Sequence, residues 1–269
     1  MSVPSGTVSG DRPVPTIETT WRPDRSQQRQ LARWGGFAGL AGVVLMLAAF
    51  VVVIGLGLPD ASDPETLTDF ADIETGRILE HFFYLGAVVA FALHVLVLDR
   101  VLESAHRAAA LFGVALSVLG LTVMAAGALL HVSTVALADL YTDPGTAQED
   151  LPAIEYAWHG AQSVFDTMLM TGLLVVPVGM LMLGVAMRRS TWFGPRLTLL
   201  TFGLGLVGLA GATIEIVDAS IVLSPLSVLA MVVFHLVVGL WTWHLGTRDD
   251  AVAGAGGGLD DDEIDPATR

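Results

Sequence analysis

Residues 155–187 read EYAWHGAQSVFDTMLMTGLLVVPVGMLMLGVAM, and this stretch decides the fold. Its first third carries Glu155, His159, Gln162 and Asp166. Those positions step by i, i+4, i+7 and i+11, which is one face of an α-helix. The remaining two thirds hold no charge and are long enough to cross a bilayer. One helix is therefore expected to lead a polar stripe from water into the membrane, with Asp166 its deepest member.

The rest of the chain fits that solvent. Of 269 residues, 53% are hydrophobic and the mean hydropathy is +0.66. The apolar excess is gathered in blocks of about 20 residues, the length of a transmembrane helix. Upstream of residue 155, spans are expected over about 34–58, 79–98 and 108–131, the last with room to extend to Tyr141. Downstream they are expected over about 197–214 and 225–245, with the fourth at about 162–187. Asp150 suits a helix N-cap, with Pro152 in the first turn, and Pro177 should kink the fourth span or be relieved by neighbours. Residues 1–30 are Pro-, Ser- and Thr-rich and are expected to form a disordered arm. Residues 247–269, dominated by Gly and Asp, are expected to form a disordered acidic tail. The fold class is thus an all-α, polytopic, six-helix membrane bundle occupying residues 31–246.

Arginine sets the expected orientation. The N-terminal arm, the 99–107 turn, the 188–196 turn and the C-terminal tail hold 12 of the 13 basic residues, all of them Arg. The loops on the other side hold only Arg77. By the positive-inside rule both termini are expected in the cytoplasm of a cell-membrane protein.

Charge and composition exclude several chemistries. There is no Cys and no Lys, which removes disulfides, thiolate metal sites, Cys nucleophiles and lysine Schiff bases. The net charge of −14 and the scattered Arg make nucleic acid a poor partner. An acidic, Lys-free chain rich in Ala, Gly and Val is expected of an extreme halophile, since high salt screens acidic repulsion. No HExxH and no GxSxG occurs.

Glycine marks helix contacts. Gly113, Gly120 and Gly127 recur every seven residues, close to two helical turns, and line one seam. Gly35 and Gly39 form a GxxxG in the first span. Gly203, Gly205 and Gly208 spell GxGxxG, but no strand precedes them, so Gly203 and Gly208 are expected to serve helix packing rather than a dinucleotide.

The titratable groups gather at the side whose one arginine is Arg77. Glu80 and His81 open the second span, close after Arg77. His131 closes the third. Glu155, His159 and Asp166 descend the fourth, and Glu215 and Asp218 close the fifth. Such a set can bind a divalent metal such as Zn²⁺. It can equally line a solute pocket in which Arg77 meets an anionic group, or serve simply as interfacial acids and interhelical hydrogen bonds. Elsewhere, His81 and His94 differ by about 220° around their helix, and His235 and His244 by about 180°. No same-face pair for stacked haems exists; a single haem between His94 and His235 is the remaining haem arrangement. Their other role is a hydrogen bond between helices, because an imidazole in lipid needs a polar partner.

The ending LVVGLWTWHLGTR, residues 236–248, resembles the last helix of the DUF4386 group of prokaryotic membrane proteins. The Gly-rich first span, the acidic outer loop and the Pro-Arg turn before a Gly-rich fifth span are similar as well. The resemblance implies six-helix membrane architecture and no catalytic residues. The expectation is a non-catalytic membrane protein, structural or binding a small solute through an outward-facing polar pocket. The competing expectations are a metal- or haem-binding enzyme and a secondary transporter. The bilayer is the expected partner, and a transporter of so few spans would work as a homo-oligomer.

Overall fold

The computed structural model describes residues 25–57, 66–102, 106–218 and 221–247, apart from the side chains of Arg25 and Ala71. All regular structure in them is helical: α1 (Arg25–Leu56), α2 (Thr66–Asp72), α3 (Glu74–Leu102), α4 (Arg107–Val132), α5 (Val135–Thr142), α6 (Leu151–Met187), α7 (Pro195–Val217) and α8 (Ser224–Thr247). Six of them, α1, α3, α4, α6, α7 and α8, form stretches long and apolar enough to cross a membrane. The protein is a multi-pass membrane protein. The helices outrun their apolar segments: α1 starts at Arg25, ahead of the span expected from residue 34, so residues 25–30 of the expected arm are helical. Likewise α6 starts at Leu151, ahead of residue 162. Residues 1–24 of the expected arm and 248–269 of the tail lie outside the described residues.

The six long helices follow one another around a closed ring. Each packs on its sequence neighbours, and α8 closes the circle against α1 while also touching α3 and α6. Short connections between antiparallel neighbours produce this order. With lipid as apolar as a leucine side chain, what holds neighbours together is close packing and hydrogen bonding.

The most extensive seam joins α4 to α6, and glycine makes it. A Cβ added to Gly113 would lie 2.9 Å from the Leu183 amide nitrogen and 3.0 Å from the Gly179 carbonyl oxygen. One added to Gly179 would lie 2.8 Å from the Gly113 oxygen, and one on Gly172 would lie 2.9 Å from the Gly120 oxygen. The two antiparallel helices therefore offer each other glycines in matching seven-residue steps. Gly127 continues the line against Met168 and Phe165. The first span is used twice: Gly35, Gly39 and Gly42 face α3, while Gly36 faces Gly239 and Trp243 of α8.

On α7, Gly205 and Gly208 lie against Leu181 and Pro177 of α6, and Gly211 lies against Ser227 of α8. Gly208 leaves room for the Pro177 ring, and α6 runs unbroken through that proline. Gly203 corrects an expectation. A Cβ there would meet nothing within 4 Å, so it is not a packing position; two residues before Gly205, it points away from the α6 contact.

Candidate functional site

At about 1.5 Å per residue, the 37 residues of α6 span about 55 Å, well beyond the 30 Å of hydrocarbon. Its N-terminal turns, polar as far as Asp166, therefore extend beyond its apolar part at the end away from the Arg-rich turns. The two short helices α2 and α5 pack on each other there. Phe70 of α2 meets Trp158 of α6 edge to face at 4.7 Å, and Leu67 and Ala138 complete a small apolar cluster. The Tyr141 hydroxyl donates to Glu155 Oε1 at 2.9 Å, tying α5 to α6. These elements form a cap over the ends of α3 and α4.

Beneath the cap lies a buried polar cluster drawn from three helices. Arg77, Glu80 and His81 sit at i, i+3 and i+4 on α3, His131 ends α4, and Gln162 comes from α6. His81 Nδ1 donates to the Arg77 carbonyl at 2.8 Å. A neutral His81 must then accept at Nε2, so His131 Nδ1–H donates to it at 2.7 Å. That leaves His131 Nε2 to accept from Gln162 Nε2 at 2.8 Å. The partners thus assign both tautomers and give a chain with one sense, from α6 through α4 to α3. Arg77 lies 3.5 Å from the same His131 Nδ1, beyond good hydrogen-bond range.

The ion pair beside the chain is close but poorly aligned. Arg77 NH1 and Glu80 Oε2 are 2.8 Å apart, and Glu80 Oε2 lies 3.3 Å from His81 Nδ1. Yet Arg77 Nε and Glu80 Oε2 are buried without a well-formed hydrogen bond. The guanidinium also faces the Phe70 ring of the cap at 5.0 Å, a cation–π contact. Phe165 stacks on His131 at 4.3 Å. A cleft lined by Phe70, Arg77, His81, His131 and Thr134 has a volume of about 10 Å³, roughly room for one water.

The remaining candidates lie apart. His159 is half-buried and outside the chain, and Asp166 is exposed. The inward line of α6 is Ile154, Trp158 and Gln162; the polar stripe shares only Gln162 with it, because its other members sit about 60–100° around the helix from the centre of that line. Glu215 Oε2 accepts from the amides of Leu223, at 2.7 Å, and Ser224. It serves the α7–α8 connection, where Asp218 caps α7. Among the described residues no group of three or more His, Asp and Glu is arranged to hold a metal. Gln162, Trp158 and Phe70 were not among the expected site residues; the inward i, i+4 line of α6 was the available signal for the first two.

A second polar contact lies deep in the bundle. His94 Nδ1 and His235 Nδ1 are 2.8 Å apart, and both residues are buried. Phe91 stacks on His235 at 3.9 Å, and Gly39 of α1 leaves space for the His94 ring. The imidazoles bond each other directly and do not flank a gap of the kind an axially bound haem occupies.

No curated protein and no solved structure matches this chain. The model for a domain of unknown function, DUF4386, matches residues 32–242, a range that takes in α3, α4, α6 and α7, most of α1 and α8, the cap and both histidine contacts. The chain therefore belongs to the DUF4386 family of membrane proteins.

Proposed function

We propose that this is a non-catalytic membrane protein whose capped polar cluster takes a small polar solute from the face opposite the Arg-rich turns. The observation that supports it is the Gln162–His131–His81 chain. It is buried, ends beside Arg77, and borders a cleft roofed by helices that stand outside the lipid. Buried polar groups at a membrane interface are costly unless a function or a packing role retains them. A solute larger than water enters by displacing the cap.

The test is thermal unfolding of the detergent-purified protein against chloride, acetate, phosphate, glycine and glycerol. A solute that binds only the folded state raises the midpoint with concentration. The expected result is a shift by at least one of them that Gln162→Leu abolishes. No shift, or the same shift in the variant, reduces the cluster to a tie between helices.

A divalent metal at His81, His131 and Glu80 is less well supported, because Glu80 Oε2 approaches His81 Nδ1 and not the Nε2 that meets His131. Stoichiometric zinc in the purified, dialysed protein would favour it; the solute reading expects none. An enzyme or a transporter has no comparable support, since Asp166 stands outside the cluster.

The arginine distribution supports both termini lying in the cytoplasm. Tags at the two ends should become accessible only after permeabilisation. External labelling of either tag on intact cells would reverse the orientation, and the cluster would then face inward.

A further inference from the structure

An apolar groove of about 550 Å³ runs between α1 and α3 on the outside of the bundle. Its size falls within the range of small-molecule sites, about 300–1,000 Å³. Trp34, Phe37, Leu93 and Leu96 form its walls and are about half exposed, while Ala38, Ala41 and Ala90 form its floor. The groove exists because those three positions are alanine and because Gly35 lets Val97 close in beneath.

Its length and its single charge point to an occupant. Leu31 and Arg100 stand at one end, Ala41 and Ala90 at the other. The ten-residue separation on each helix is about 15 Å, half of the 30 Å hydrocarbon layer and so the depth of one leaflet. Arg100 is exposed and, among the described residues that line the groove, is the one that carries a charge. It lies on the Arg-rich side, with Arg33 held over the Trp243 ring nearby at 5.4 Å; the adjacent Asp99 is half-buried. A cationic end followed by a leaflet's depth of apolar wall complements an anionic lipid: phosphate outside, one chain within.

We propose that the α1–α3 groove binds one anionic phospholipid of the leaflet on the Arg-rich side, with its phosphate at Arg100 and a hydrocarbon chain over Ala38, Ala41 and Ala90.

The experiment compares retention of phosphatidylglycerol and phosphatidylcholine. Full-length protein is loaded with each lipid in mild detergent, washed, and weighed intact by native mass spectrometry. Wild type should keep one phosphatidylglycerol per chain and lose phosphatidylcholine. Arg100→Gln should weaken retention of phosphatidylglycerol by about fivefold, the effect of one arginine near a charged headgroup. Ala41→Leu and Ala90→Leu, made separately so that a folding defect in one does not decide the matter, should each lose phosphatidylglycerol as well. Val207→Leu, on an exposed face of α7, should behave as wild type. Equal retention of the two lipids by wild type overturns the proposal. So does retention by properly folded Ala41→Leu and Ala90→Leu, which would mark the lipid as ordinary annular lipid.

Discussion

His131 is the residue on which the capped ends of three helices depend. It donates to His81 and accepts from Gln162, so its loss leaves polar groups on both α3 and α6 without a partner. Hydrogen bonds within membrane bundles average about 0.6 kcal/mol, and an abandoned buried group costs about 1–3 kcal/mol. His131→Leu should therefore destabilise the protein by about 2 kcal/mol in reversible detergent unfolding. A double-mutant cycle with Gln162→Leu should show coupling of about 0.5 kcal/mol or more; strictly additive losses would mean that the bond to Gln162 contributes nothing. The same chain shows what was legible at this scale. The histidines and acids were visible at one face from their places at helix ends. Which of them meet was not, because that depends on how each helix is rotated about its own axis. His159 and Asp166 share a face with Gln162, yet the surface α6 turns inward is centred about one residue away, on Trp158 and Ile154.

Between α4 and α6, the controlling quantity is how near two backbones can come. Gly113 faces backbone atoms that cannot swing aside, whereas Gly203 faces open space. Gly113→Ala should cost about 1–3 kcal/mol, the usual range for overpacking, and Gly203→Ala should be neutral or gain up to about 1 kcal/mol from helix propensity. Equal effects of the two on unfolding would dissociate stability from this contact. Half of the zipper was readable in advance as the seven-residue spacing of Gly113, Gly120 and Gly127. The other half, Gly172 and Gly179, stands at the same spacing within an apolar run and becomes meaningful only once α4 and α6 are neighbours. The six long helices were legible because hydrophobic runs of spanning length admit few alternatives. The cap was not: α2 has 7 residues and α5 has 8, too few for periodicity to stand out, and Leu67 and Phe70 sit in an acidic stretch.

For the molecule as a whole, the net charge of −14 is carried largely outside the spans. If salt screening is what makes this charge tolerable, the unfolding midpoint should climb as KCl is raised from about 0.1 M to about 2 M, where the Debye length shrinks from about 10 Å to about 2 Å. A flat or falling midpoint would remove the case for a saline habitat. The helices also differ greatly in length: α6 has 37 residues, but α7 has 23 and α8 has 24. At about 1.5 Å per residue the last two reach only about 35 Å, so they alone set the thickness of membrane the ring can match. Lengthening the acyl chains of a host vesicle should leave α6 with extra turns in reserve while the α7–α8 connection held by Glu215 is drawn toward oil. Hydrophobic mismatch would then fall on one flank of the ring, tilting the bundle toward α7 and α8 rather than stretching it evenly.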